Sequence, residues 1–197
     1  MSKKTLEFEI RDPGQLAAIG SPARLRVIEC LSLYGPASAA QIAHCIRRIP
    51  ESLYYHIRQL ERAGIVVKAG TRRARRRNEA VYRLVAPRLV LTRRKRGERF
   101  RHALARSYEA LLRAAARDCR RALSVDDVAT DGPARRLMVH RYNVRLRRVD
   151  VVRLNRLLDE VGRLMQASDC TTGGDAMAVT VAMSPAPGAR STDGRRG

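Results

Sequence analysis

Apolar and polar positions recur with two different periods along this chain, and the switches between them mark its elements. Leu6, Phe8 and Ile10 alternate with Glu7 and Glu9, the pattern of a short strand with one buried face. Asp12 before Pro13 supplies an N-cap followed by proline at the first helical position, and Ser21-Pro22 repeats that signal. Leu25, Val27, Ile28 and Leu31 then share one helical face that stops at Gly35-Pro36. A third, short helix fits Ser38 to Ile46, with Ile42 and Cys45 inward. The fourth is the most regular. In PESLYYHIRQLERAGIV, Leu53, Ile57 and Leu60 stand at i, i+4 and i+7, and Gly64 ends the run. At about 100° per residue, Glu51, Tyr55, Arg58 and Arg62 face the opposite way, flanked by Ser52 and Gln59. Two strands follow, Ile65 to Ala69 and Ala80 to Val85.

Between those strands lies AGTRRARRRNEA, with five arginines in the seven positions from Thr71 to Arg77. Strand-like sequence brackets it too tightly for a disordered tail. Three helices followed by a β-hairpin with a basic tip form a winged helix-turn-helix, and the arginine run is expected to be its wing. Past Pro87, residues 88 to 122 carry twelve basic and three acidic residues without a proline, and are expected to form one long helix. Phe100, Leu104, Tyr108, Leu111, Ala115, Cys119 and Ala122 mark a stripe on it, at about 3.67 residues per turn. That stripe can pack on its own domain or form a subunit interface. Gly132-Pro133 punctuates. Met138, His140, Tyr142, Val144 and Leu146 then alternate as a strand would. Asp150 can cap a helix carrying Leu154, Leu157, Leu158, Val161, Leu164 and Met165. AMAVTVAM is expected to be a buried strand, and SPAPGARSTDGRRG a disordered tail.

The expected fold is therefore mainly α with a small β-hairpin wing, continued by a long helix and a small α+β C-terminal region. Its expected parts are a DNA-binding domain at 11–87, a dimerisation or effector region at 88–183, and a tail at 184–197.

Charge narrows the partners. Lys and Arg number 40 against 19 Asp and Glu, a net charge of +21. So large an excess calls for a polyanionic partner. No apolar stretch approaches the roughly 18 to 20 residues that span a bilayer, and the lysines near the start lead into no apolar leader segment. The expected compartment is the cytoplasm. The four cysteines are scattered without CxxC spacing, as reduced buried or free thiols would be. A 45% hydrophobic content with two Phe and no Trp leaves a core of Leu, Ile, Val and Ala.

DPGQLAAIGSPARLRVIECL followed by SLYYHIRQLERAGIV resembles the ArsR-like winged-helix transcription regulators over roughly residues 11 to 85. Residues 135 to 183 are similar to the C-terminal region of some larger, non-metal members. The resemblance implies a homodimer on a near-palindromic operator, usually a repressor. Metal-sensing members carry ELCVCD in the helix before the recognition helix. The matching stretch here is Gln41-Ile42-Ala43-His44-Cys45-Ile46, so Ala43 stands at the first cysteine and the acidic ligand is absent. His44 and Cys45 diverge by about 100° on a helix, whereas a closed zinc site needs about four ligands. No metal and no cofactor are expected. His56 stands where the family usually has histidine, and suits packing and hydrogen bonding.

The leading reading is a sequence-specific regulator of transcription whose recognition helix enters the major groove of duplex DNA. Ser52, Tyr55, Arg58 and Gln59 would contact bases or nearby phosphates. Arg72, Arg73, Arg75, Arg76 and Arg77 would follow the backbone or enter a narrow minor groove. Phe100, Leu104, Tyr108, Leu111 and Ala115 would form the dimer interface. The alternative is a non-specific RNA-binding or nucleoid-associated protein, although RNA modules usually interleave stacking aromatics with their charge. Catalysis is not expected, since GxSxG, HExxH, P-loop and dinucleotide fingerprints are missing. The operator, the direction of control and any small-molecule effector have no signature in the sequence.

Overall fold

A computed structural model describes residues 7–74, 77–91, 97–125, 127–168 and 174–185, with Arg77 described in its backbone alone. The chain divides into two units, Met1–Asp118 and Cys119–Gly197.

The first unit runs β1 (Glu7–Ile10), α1 (Pro13–Ile19), α2 (Pro22–Tyr34), β2 (Ala37–Ser38), α3 (Ala39–Ile46), α4 (Pro50–Arg62), β3 (Val66–Ala74), β4 (Arg77–Leu84), β5 (Arg88–Leu91) and α5 (Glu98–Ala122). Capping chemistry sets the helix starts. The Asp12 carboxylate accepts the Gln15 N–H at 2.9 Å, and the Gln15 side chain accepts from the backbone before it, closing a capping box on α1. Ser38 and Gln41 build the same device on α3. Leu16, Ile42, Leu53, Ile57, Leu60 and Ile65 are fully buried and join α1, α3 and α4 to the start of β3. Each such side chain contributes about 1.5–3 kcal/mol by leaving water. The winged helix-turn-helix fold is present as expected.

Several details depart from expectation. The hairpin is longer: β3 and β4 pair antiparallel from Val66↔Leu84 out to Ala74↔Arg77, with a register shift between Lys68 and Gly70. Gly70 takes φ +144°, which glycine supplies at little cost, and the strand bends there. Arg72 and Arg73 thus lie in a strand, opposite Glu79 and Asn78, and only positions 75 and 76 separate the two strands. β2 adds a third strand to the sheet, in the order β2-β4-β3.

The long helix is shorter than expected. Arg88–Leu91 is a strand, paired in parallel with β1 from Glu7↔Arg88 to Ile10↔Leu91. RLVL is a short apolar run, and β1 offers it a backbone partner that no helix could satisfy. An ion pair between Glu7 and Arg88 fastens this two-stranded sheet. α5 begins only at Glu98, after Gly97.

α5 packs on its own unit. Phe100, Ser107, Ala110 and Ala114 are buried, and Leu104 and Leu111 are half-buried against the same core. The Ser107 hydroxyl donates to the Leu16 carbonyl at 3.0 Å, which allows a polar residue inside. Arg117 reaches Glu29 of α2 at 3.1 Å.

In the second unit α6 (Arg148–Ala167) appears where expected, with none of its residues buried. The two flanking strands do not. Residues 137–147 and 175–185 lie outside any sheet among the described residues. AMAVTVAM is exposed throughout rather than buried. A strand needs a hydrogen-bonded neighbour, and alternation in sequence does not supply one. Most of the expected tail, residues 186–197, falls outside the described residues, as does Cys170.

Candidate nucleic-acid interface

α4 divides its side chains by period. Leu53, Ile57 and Leu60 point into the core, while Glu51, Tyr55, Arg58 and Arg62 are exposed, Tyr55 at 62%. Pro50 opens the helix and Gly64, at φ +69°, turns the chain into the wing. Ser52 and Gln59 sit on the flank, half-buried. The Ser52 hydroxyl donates to the Ile49 carbonyl at 2.9 Å, which leaves its oxygen lone pairs free to accept. Gln59 lines an open crevice of about 470 Å³ with Asp12, Arg24, Arg62 and Gly64.

The turn before α4 is the part that sequence reasoning missed. Arg47 caps α3 in the left-handed region at φ +51°, and Arg48 donates its N–H to Ala43 at 2.9 Å. Both arginines are exposed at the mouth of the recognition helix. Their signal was present as two adjacent cations between Ile46 and Pro50. Tyr54, exposed at 49%, was also missed, because it lies between the inward and outward faces.

Tyr82 of β4, paired with Ala37 and Lys68, anchors the wing in the core. That residue is buried, and its phenol is held above the usual tyrosine range by burial first, then by Glu61 and Tyr54, with Arg58 acting the other way. Tyr82 thus sits within electrostatic reach of α4 residues on and beside the reading face. Arg72 and Arg73 are exposed and, as strand neighbours, point to opposite faces of the hairpin. Arg75 and Arg76 lie outside the described residues, and the side chain of Arg77 does too. Arg72 and Arg73 thus place cations on both faces of the hairpin.

His56 is half-buried, and its Nδ1 has no hydrogen-bond partner among the described residues. Burial lowers its pKa, and the nearby cations Arg24 and Arg48 lower it further. A neutral imidazole packs there more readily than a charged one.

Of the residues weighed as metal ligands, His44 and Cys45 are exposed and Ala43 is buried; Cys45 was expected inward. Cys30 is buried in α2, and that burial, with the neighbouring Cys45, pushes its thiol up to about 12. It stays protonated at neutral pH and packs as a small apolar group. Of the expected interface residues, Phe100 belongs to the unit's own core and Leu104 and Leu111 to its margin. Tyr108 is 47% exposed and Ala115 is half-buried.

Residues 19–69 match the family model described as a helix-turn-helix domain, a span that holds α2, α3, α4 and the start of β3. No curated protein matches the chain. The chain thus carries a helix-turn-helix DNA-binding domain, completed by an antiparallel wing. Among the described residues, no helix is long and apolar enough to cross a membrane.

Proposed function

We propose that this protein is a sequence-specific, ArsR-like regulator of transcription, acting as a homodimeric repressor on a near-palindromic operator. α4 carries the assignment. One face of it is fixed in the core by Leu53, Ile57 and Leu60, and the other holds Tyr55 and Arg58 toward solvent on a rigid backbone. A helix so held fits the major groove, where each base pair has its own donor and acceptor pattern. Arg58 can grip a guanine edge with two hydrogen bonds, and Tyr55 and Ser52 serve adjacent bases or phosphates. Arg47, Arg48, Arg72 and Arg73 are exposed beside α4 and along the wing, and supply affinity through the phosphates. The reading gives the chain no catalytic step and no metal. Tyr108 and Ala115 mark the flank of α5 that remains open to a second copy.

Selection of bound fragments from random duplex DNA tests this directly. The expected outcome is a motif of two half-sites about 10 base pairs apart. A pool without a motif, or structured RNA bound as tightly as the selected duplex, would point to non-specific nucleic-acid binding instead. A reporter placed behind the motif should fall when the protein is supplied; a rise would make it an activator.

A further inference from the structure

The second unit does not bury its own apolar side chains. α6 runs for 20 residues with none buried. Leu157, Val161 and Leu164 lie within about 60° of one another around the helix, and are 49%, 38% and 62% exposed. On either side the chain is extended and apolar at alternate positions, with Val144, Val179 and Val181 more than half exposed. Among the described residues, no backbone hydrogen bond ties 138–146 or 176–183 to a neighbouring strand. Arg136 meets Asp175 at 3.1 Å, so the two extended segments begin side by side. Each offers an open edge of N–H and C=O groups, which is a template for strand addition.

Among the described residues, no other part of the unit covers this surface. Its undescribed stretches, 169–173 and 186–197, contribute one cysteine, two alanines and one proline as apolar side chains. Fifteen large apolar residues between Met138 and Met183 are exposed. Summed over α6 and both extended segments, they expose on the order of 1,000 Å², against about 800 Å² per partner in a standard interface. Charge points to the occupant. The first half of α6 and its approach hold Arg147, Arg148, Arg153 and Arg156 against Asp150, which pairs with Arg147, and the second half holds Asp159 and Glu160. Two copies laid antiparallel across a two-fold axis set Arg156 opposite Glu160, twice over, which is how a self-complementary interface is made. Arg163 also sits in the second half, and lies 3.9 Å from Glu160.

We propose that a second copy of this chain covers the second unit, with α6 packed antiparallel on its twin and the extended segments pairing across the axis. The proposal deepens the homodimer of the proposed function, and rests on that reading only in requiring two copies. Sedimentation equilibrium of the full chain without DNA, over about 1–100 µM, tests it. Leu157→Glu with Val161→Glu should weaken self-association by at least about 100-fold, since both side chains are exposed in the single chain and would be buried in the pair. Tyr34→Glu, exposed at the end of α2, should leave the dimer intact. Arg156→Glu and Glu160→Arg should each weaken it, and the two together should restore it. That rescue keeps the test valid should the Leu157/Val161 variant misfold, which circular dichroism reports. A monomeric wild type, an unaffected α6 variant, or no charge-swap rescue would overturn the proposal. A dimer that shows no preference among DNA sequences would sink the DNA reading and leave this one standing.

Discussion

The winged unit and the unit that follows it use their apolar residues in opposite ways. In Met1–Asp118, aliphatic side chains close over one another, and even the Ser107 hydroxyl inside is satisfied. In Cys119–Gly197 the same residue types face water. Charge divides the other way: 26 Lys and Arg against 10 Asp and Glu in the first unit, 14 against 9 in the second. The net charges are +16 and +5. A finished core under a strongly positive surface suits a polyanion. An apolar surface with little net charge suits another protein surface. The difference is the ground on which different partners are proposed for the two halves.

Salt should expose the contrast most strongly. If a dimer neutralises about eight phosphates, log K for duplex DNA falls with log salt at a slope near −7, roughly a 10⁴-fold loss from 50 to 200 mM. Self-association of the second unit should hardly respond over the same range. A DNA slope shallower than about −2, or a dimer that dissolves with added salt, would erase the distinction.

Next in size are the cores. Ile57→Ala should cost the winged unit about 2–5 kcal/mol in denaturant unfolding. Leu157→Ala should change the stability of a single chain by less than about 0.5 kcal/mol, and should act only through the concentration-dependent part. Equal effects would mean that the second unit has a closed core after all.

Within the winged unit, Arg58→Ala should relax preference at one or two base pairs by about 1–3 kcal/mol each. Arg72→Ala with Arg73→Ala should weaken selected and random duplex alike, read by competition binding. If both variants lose affinity uniformly, α4 is not the reader.

A smaller effect is expected at the turn before α4. Arg47→Gly removes a left-handed non-glycine residue and should raise stability by about 0.5–1 kcal/mol, while lowering DNA affinity through the lost cation. Thermal melts and titrations read the two changes separately.

The weakest is pH. His56 titrates below its ordinary value in the folded state, so the unfolded chain takes up the proton first. Stability is then fully present above the unfolded value near 6.5 and declines as pH falls from there toward the folded pKa. His56→Gln should flatten that decline; a stability that rises on acidification would reverse the assignment.

The winged unit was largely legible because its signals are local. Asp12-Pro13, Ser21-Pro22 and the spacing of Leu53, Ile57 and Leu60 act within a few residues, and each element formed where those signals stand. What misled was non-local or small. β5 exists because β1 lies beside it, far away in sequence. The buried face of α5 is turned from the stripe of large residues toward Ser107, Ala110 and Ala114, whose small size permits close approach and leaves a weak apolar signature. The arginines of β3 hid a strand under a run of charge. Of the reading residues, Tyr55 and Arg58 followed from periodicity. Arg47 and Arg48 needed the turn itself, since no period reaches across it.

The pairing of β1 with β5 has a temporal meaning as well. Glu7 and Arg88 are 81 positions apart, and every residue assigned to reading DNA lies between them. Closing so long a ring costs entropy that contacts inside it must first offset, and such distant pairings form slowly. On the ribosome, β1 emerges first and waits unpaired while α1 to α4 and the hairpin are made. The clasp can therefore close only after every residue of the proposed DNA-facing surface has been synthesised.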